Sequence, residues 1–330
     1  MDLTASEFED LIGAYALDAC EPDEVAALDA YVEGHPEIAA DVERLREAAA
    51  ALGAAGAVIP PPGLRDRLLH VAGERVSPVS PQEALEAETE RFDALLATLA
   101  GADLDVVTHN GLSVHDLVSH IEAIDRAFVG EAAADPAKYR LIGAAEVQQI
   151  TAETLPEHAG EAFADTVTRF RGTRADLVGL ADRLPPEKLV AGYRCDDVLV
   201  VRAFETWTHH DDICRALGRD ETVPAPAVMR AMAELSVRSL PLAMAVRGTP
   251  RPDRIARLVL TGAGGGEWTF ACGPGAAASG VADVVIRAPV VEWCRRFADR
   301  LEPDVVPAEV EGDVELAKEL VSAANAFAGL

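Results

Sequence analysis

The segment RAFETWTHHDDICRALG, residues 202–218, decides the fold predicted for the middle of this chain. Its apolar residues recur at helical spacing, and Gly218 is a favoured residue just past the end of a helix. Glu205 and His209 are four residues apart, so their side chains project from one face. Asp212 lies three residues further along the same stripe. The segment therefore predicts a helix with a polar, potentially reactive face and an apolar face.

Three more helices of similar pattern precede this one. Ser113 is a favoured N-cap residue, with Asp116 at the third position of the capping pattern. Four long helices joined in sequence predict an up-and-down bundle. The predicted helices are 81–99, 113–128, 158–184 and 198–217.

The sequence on either side of the bundle has a different residue pattern. Residues 1–57 predict a helical module, and residues 58–80 are a proline-rich linker around a short amphipathic stretch. From residue 219 to 330, helices alternate with short runs of β-type residues, which is typical of a small α+β domain. The predicted fold is therefore mainly α with an α+β C-terminal part, and the bundle occupies residues 81–218. The glycine-rich run 262–268 lacks phosphate-loop spacing and predicts a hairpin turn.

Composition excludes several classes of protein. Of 330 residues, 56 are acidic and 29 basic, for a net charge of −27, and there is no basic run that could neutralise a nucleic-acid backbone. The five cysteines are scattered and odd in number, so no disulfide framework is expected. The acidic start MDLTASEFED is unlike a signal peptide, and no apolar run approaches the roughly 20 residues of a membrane span. We expect a soluble, cytoplasmic protein.

A second helix brings a third candidate ligand to Glu205 and His209. His120 lies beside the apolar stripe of the helix at 113–128, so its ring should point into the bundle. Imidazole and carboxylate ligands suit zinc, and three protein ligands leave one coordination position open, as in catalytic sites. Asp212 could accept the free N–H of His209 and fix its tautomer.

Two alternatives compete with a metal site at this stage. A Glu-x-x-x-His pair is common on exposed helices as a weak surface interaction, and a lone histidine beside an apolar stripe is usually a core residue. His210 is the immediate neighbour of His209 and rivals it as a ligand. It lies about 100° round the helix and does not share the stripe of Glu205.

Two motifs resemble those of the mycothiol-dependent maleylpyruvate isomerase family, whose fold is of the DinB type. GLSVHDLVSHI (111–121) is similar to the family's first metal-ligand motif, although Leu112 stands where tryptophan is usual. RAFETWTHHDDI (202–213) is similar to the second, and the C-terminal segment 297–321 also resembles the family's small domain. By position, this resemblance implies that the metal ligands are His120, Glu205 and His209.

The resemblance also implies a chemistry. Family members use the small thiol mycothiol, so zinc or another divalent metal would favour the thiolate that attacks an electrophilic substrate. Isomerisation or S-transfer would follow, and the protein's own cysteines would not be catalytic. The family's C-terminal domain contributes an arginine to the cleft, which implies Arg300 as a substrate-binding residue. Arg295 and Arg296 are close in sequence, and a solvated helix residue is the alternative interpretation of each.

The first part of the chain resembles a different family. Residues 10–52, with the PPPGLRDRLL segment that follows, are similar to the zinc-finger domain of anti-sigma factors. Tyr31, His35 and Ile38 stand at the positions of its three zinc ligands, so we expect no metal there. The resemblance implies a sigma factor as a partner of residues 1–57. The alternative function is thus an anti-sigma-like regulator whose bundle senses metal or thiol without turnover.

Overall fold

The computed structural model forms two compact units, residues 1–68 and 69–330. Part of the predicted linker and Cys195 lie outside the described residues. The structure describes residues 4–17, 19–55, 77–108, 111–134, 142–180, 183, 189–190, 193–194 and 196–326.

The first unit is a helical module, as predicted. Thr4 caps its first helix through a reciprocal capping box with Glu7. Tyr31 stacks on Phe8 and on His35, with ring centroids 4.7 and 4.2 Å apart, so these three side chains serve packing. The helices are α1 (Ala5–Ala16), α2 (Pro22–Gly34) and α3 (Pro36–Ala55).

The second unit begins with the predicted bundle. Its helices are α4 (Pro81–Leu96), α5 (Val114–Ala134), α6 (Ala144–Glu157), α7 (Phe163–Val178) and α8 (Asp197–Ala216). Helix α4 packs along α8, and α5 packs along α7, which makes a four-helix bundle and confirms the predicted fold class. Ser80 caps α4 with Glu83 as its capping-box partner. A short hairpin, β1 (Leu189–Val190) and β2 (Tyr193–Arg194), precedes α8.

The helix predicted over residues 158–184 is present but shorter, and a helix before it was not predicted. The structure has helix α6 before that stretch, and α7 begins at Phe163. Pro156 sits in the last turn of α6, and Gly160 takes a left-handed φ of 83° in the turn that follows. Because that conformation ends a helix and reverses the chain, α6 is a separate element that packs on α5.

The C-terminal part has the predicted α+β structure, with helices and a sheet. A four-stranded sheet has the order β4-β3-β5-β6, antiparallel except for the parallel pair of β3 and β5. Every second residue of β5 is buried, as expected of a strand that covers the core with one face. The elements are α9 (Pro226–Val246), β3 (Arg251–Thr261), β4 (Gly266–Cys272), β5 (Val284–Pro289), α10 (Val290–Phe297), β6 (Glu309–Gly312) and α11 (Val314–Ala323).

The glycine-rich run forms the hairpin turn between β3 and β4, as predicted. These positions require glycine for steric reasons, because the turn lies against the first residues of α9. A Cβ on Gly264 would lie 2.5 Å from the carbonyl oxygen of Pro226, and one on Gly265 would lie 2.2 Å from that of Leu260. Both separations are below any tolerated contact, so the backbone approaches closely only because side chains are missing.

The bundle and the C-terminal part share one hydrophobic core. Phe204 of α8 packs on Phe297 of α10, with ring centroids 5.3 Å apart. The buried indole of Trp293 donates a 3.0 Å hydrogen bond to Ser236 Oγ, which ties α10 to α9. The predicted boundary at residue 218 is thus a change of secondary structure inside one compact unit. Of the helices in the described part of the chain, none is long and apolar enough to cross a membrane.

Candidate active site

A cavity of about 600 Å³ opens between α5, α6, α8 and the loop that follows α10. His120 of α5 and Glu205 and His209 of α8 line it together, as their sequence pattern predicts. Arg202 of α8 and Arg300 of the C-terminal loop line the same cavity. Residues far apart in the sequence thus face one partly open cavity of the size of a small-molecule site.

The tautomer of His120 is fixed by a hydroxyl on α6. The Thr151 hydroxyl donates to the carbonyl oxygen of Val147 at 2.7 Å. Its oxygen therefore accepts the Nδ1–H of His120, also at 2.7 Å. Burial lowers the pKa of His120 to about 3, so the ring is neutral near pH 7. Nε2 of His120 is left with a free lone pair, which is what a metal ligand requires.

His209 lies between two carboxylates. Its Nδ1 is 3.1 Å from Asp212 Oδ2, and its Nε2 is 3.3 Å from Glu205 Oε2. Burial lowers the pKa of His209, but the hydrogen bonds to Asp212 and Glu205 outweigh burial and raise the pKa above its usual value. Asp212 therefore contacts the Nδ1 of His209, and although burial raises the pKa of its carboxyl, the hydrogen bonds to His209 and Arg300 outweigh burial and lower it.

The donor atoms fit a zinc ion in type and in part of their spacing. Ligands about 2.0–2.1 Å from a tetrahedral zinc lie about 3.3 Å from each other, which is the separation of His209 Nε2 and Glu205 Oε2. The rings of His120 and His209 are perpendicular, with centroids 5.5 Å apart. Among the described residues, no three such side chains already stand as a closed metal-binding group. Two donors are at ligand spacing and the third ring stands beside them.

Arg300 reaches this site from the C-terminal part of the chain. Its side chain is 12% exposed, so the alternative of a solvated helix residue is wrong. Nε and Nη2 of Arg300 donate to the carboxylate of Asp212 at 2.9 and 2.8 Å. Arg295 pairs with Asp211 and Glu221 instead.

Arg296, the third arginine of this stretch, is also committed elsewhere. It is buried, and it donates to backbone carbonyls including those of Val321 and Leu301. Of the three arginines considered from the sequence, Arg300 is the one that lines the cavity.

The rival residues on α8 face away from the cavity. His210 contacts Cys214, with Nδ1 3.6 Å from Sγ, and Thr222, with Nδ1 3.2 Å from Oγ1. Cys214 is buried in the apolar cluster of the bundle, and burial raises the pKa of its thiol. This placement separates the polar stripe of Glu205 and His209 from the apolar stripe, as the helical spacing predicts.

Three residues with roles in the cavity wall were missed by the sequence analysis. Thr151 lies on α6, which was not predicted, and Asp125 is buried behind the cavity, where it pairs with Arg202. Arg202 could have been found, because it lies three residues before Glu205 on the same stripe. Leu112, where the family motif usually has tryptophan, also lines the cavity.

This bundle matches a known protein family. Residues 85–214 correspond to the family described as the mycothiol maleylpyruvate isomerase N-terminal domain. The bundle is the part of the chain that is similar to this family. The matched segment contains all four residues predicted from the motifs as ligands and orienting group. Those residues are His120, Glu205, His209 and Asp212.

Individual relatives and structures show more distant similarity. An uncharacterized protein of Mycobacterium tuberculosis strain H37Rv is 26% identical over 253 residues, which are 74% of this chain and 94% of the relative. The corresponding protein of strain CDC 1551 gives the same values. The crystal structure of the mycothiol-dependent maleylpyruvate isomerase is 15% identical, with a TM-score of 0.46, and covers 69% of this chain and 91% of that one. The crystal structure of a mutant of that enzyme gives a TM-score of 0.45 with the same identity and coverage.

Proposed function

We propose that this protein is a metal-dependent enzyme that uses mycothiol to isomerise or S-conjugate a small electrophile. His120, Glu205 and His209 are the proposed ligands of one divalent metal, and zinc is the metal that best suits the donor types. The observation that carries the proposal is their convergence in one cavity, with both rings held by second partners. Bound there, the metal would supply the positive charge that favours the thiolate form of mycothiol.

The chain's own groups prepare the cavity for this chemistry. Thr151 and Asp212 hold the two imidazoles so that Nε2 of each is turned away from its hydrogen-bond partner on Nδ1. Arg300 neutralises Asp212, which keeps that carboxylate oriented on His209. Since such outer partners raise ligand basicity and fix ring orientation, they belong to the proposed machinery.

The reaction divides after the thiolate has added to the substrate's double bond. If rotation about the new single bond is followed by loss of the same thiolate, the product is the geometric isomer. If the carbanion is protonated instead, the product is a stable S-conjugate. Both routes use one nucleophile, which the proposal assigns to mycothiol.

The proposal is tested with full-length protein, mycothiol and maleylpyruvate. Loss of substrate should require mycothiol and stop when a chelator removes the metal. Mass spectrometry then separates the routes, because an isomer keeps the substrate's mass and a conjugate has the summed mass. Glu205→Gln should abolish both metal binding and turnover.

A matched control is the exposed carboxylate Glu153 on α6. Glu153→Gln changes the same charge on a helix that borders the cavity, and its activity should equal that of the native chain. Full metal occupancy with no thiol-dependent loss of maleylpyruvate would count against an isomerase or transferase that acts on this substrate.

A further inference from the structure

Two arginines line the cavity, and the structure uses them differently. Arg300 directs Nε and Nη2 at the carboxylate of Asp212, at 2.9 and 2.8 Å. Its third nitrogen, Nη1, donates to the carbonyl oxygen of Ala298 at 2.9 Å. Every nitrogen of Arg300 therefore has an acceptor within the protein, and the side chain acts as a clamp on Asp212.

Arg202 keeps most of its donors for the cavity. It is only 2% exposed, and its Nε donates to Asp125 Oδ1 at 2.6 Å. Its guanidinium lies over the ring of Phe128, 5.6 Å from the centroid. Within the part of the chain that the structure describes, the two terminal nitrogens of Arg202 donate to no protein acceptor. Arg202 lines the cavity, and its terminal nitrogens are not among the fully buried atoms that lack a partner, so they are accessible to a ligand in the cavity.

The charge behind Arg202 points to an anion as that ligand. Asp125 is fully buried and faces two guanidinium groups, with Arg174 Nε 2.6 Å from its other oxygen. One carboxylate between two arginines leaves one positive charge in excess. Nη2 of Arg174 donates to Thr206 at 2.8 Å, and Arg174 does not line the cavity. The excess positive charge therefore faces the cavity through Arg202.

The other negative group of the cavity is already committed. Glu205 stands 3.3 Å from His209 Nε2 and is a proposed metal ligand. Burial raises the pKa of Glu205, but neighbours including His209 and Arg202 outweigh burial and lower it. Among the described residues, no hydrogen bond joins the side chains of Glu205 and Arg202. A guanidinium presents two parallel N–H groups in a plane, which matches the two oxygens of a carboxylate.

We propose that Arg202, and not Arg300, binds the carboxylate of the electrophilic substrate. Asp125 holds the guanidinium in the cavity wall through Nε, and the terminal nitrogens take the substrate oxygens as a bidentate pair. Arg300 is a positioning residue that acts through Asp212 on His209. The nature of the substrate, but not the anion site itself, rests on the proposed function.

The test is direct titration of full-length protein with maleate, a planar dicarboxylate, by isothermal titration calorimetry without mycothiol. Arg202→Gln should raise the Kd of maleate about tenfold or more, since it removes one partner of a buried charge pair. The matched control is Arg174→Gln, which takes the same charge from the same Asp125 but outside the cavity. It should change the Kd less than about twofold.

Each variant leaves Asp125 with one arginine, so both should fold, and circular dichroism checks this. Should Arg202→Gln unfold, Arg202→Lys keeps the charge, loses the planar fork, and should still weaken maleate measurably. The neutral ester dimethyl maleate should bind the native chain and the Arg202 variants equally.

Three results would overturn the assignment: no maleate binding to the native chain, unchanged binding in folded Arg202 variants, or equal weakening in Arg174→Gln. Because mycothiol is absent from the titration, a failure here is distinct from a failure of the proposed enzymatic activity.

Discussion

At the scale of single residues, the site depends on hydroxyl and carboxylate groups that hold the proposed ligands. The Thr151 hydroxyl decides which nitrogen of His120 carries the proton, because its own hydrogen is used on the carbonyl of Val147. Asp212 does the same for His209. The tautomer of each ring is thereby set by a hydrogen bond to a side chain on another turn of the same helix or on another helix.

The role of Thr151 leads to the first prediction. Thr151→Val keeps the shape of the side chain but removes the acceptor of the Nδ1–H of His120. Metal affinity should fall by about 10-fold or more, as it does when outer hydrogen-bond partners of metal-bound histidines are removed. Competition with a chromogenic chelator measures this.

Thr168 provides the matched control for that measurement. Its hydroxyl also bonds the carbonyl four residues earlier, at 2.7 Å, but on an exposed face of α7. Thr168→Val should leave metal affinity unchanged. Equal affinities of Thr151→Val and native protein would show that the hydroxyl does not orient the ring.

The sequence predicts the members of the site better than it predicts their surroundings. Spacing alone places Glu205, His209 and Asp212 on one stripe, because a helix fixes which side chains share a face. Thr151 could not be assigned, since nothing local to it reports a contact with a ring 31 residues away. Arg300 meets Asp212 across 88 residues, and such a contact is set by packing of the whole unit.

At the scale of elements, three helices are joined by one buried carboxylate. Asp125 of α5 pairs with Arg174 of α7 and Arg202 of α8, at 2.6 Å each. All three side chains are at most 2% exposed. Since a buried ion left without its partner is strongly destabilising, this group ties the three helices together electrostatically.

The second prediction follows from that arrangement. Asp125→Asn keeps the size of the side chain and leaves two buried guanidinium groups without a counter-charge. The free energy of unfolding should drop by about 3–5 kcal/mol, measured by urea denaturation. Asp93→Asn is the control, because its pair with Arg171 is largely exposed and should be worth less than about 1 kcal/mol. Similar losses in the two variants would contradict a special role for the buried group.

The third prediction concerns the turn between β3 and β4. Gly265→Ala would bring a Cβ to 2.2 Å from the carbonyl oxygen of Leu260, and a backbone atom cannot move aside as a side chain can. The melting temperature should fall by several degrees, for a loss of about 1–3 kcal/mol. Gly172→Ala, on α7 with open space around it, should instead be neutral or stabilising by up to about 1 kcal/mol.

The helices differ in how accurately the sequence pattern predicts them. Helices α4 and α8 were predicted within a few residues, because long periodic segments and capping residues mark them. Helix α6 was missed. Its N-cap residue, Gly143, offers no side-chain hydrogen bond, and the helix carries a proline in its last turn. Its place is set by packing on α5.

At the scale of the whole molecule, the site exists because one compact unit includes both the bundle and the C-terminal part. The cavity takes two proposed ligands from α8, one from α5 and a clamp from the loop after α10. The lining residues that the structure describes lie between Leu112 and Arg300, within the second unit. Metal content should therefore depend on the second unit.

The fourth prediction states that dependence as a stoichiometry. Elemental analysis of full-length protein should find about one divalent metal per chain, and His209→Ala should lower it to near zero, since two ligands do not hold zinc as three do. His35→Ala, in the anti-sigma-like module, should leave the content unchanged. Retention of metal by His209→Ala, or its loss in His35→Ala, would place the ion elsewhere.

The last prediction is that activity needs an external thiol and none of the chain's own cysteines. Burial raises the pKa of the Cys272 thiol to about 11 and raises that of Cys294 as well, so neither is a thiolate near neutral pH. Cys214 faces away from the cavity, and burial raises its pKa too. A variant with all five cysteines replaced by alanine should lose some stability, because three of the four that the structure describes are buried. If it folds, its mycothiol-dependent rate at saturating substrate should stay within about twofold of native, whereas a protein nucleophile would be worth orders of magnitude. Activity without mycothiol, or its loss on Cys214→Ala in protein that keeps its fold and metal, would show that the nucleophile belongs to the chain.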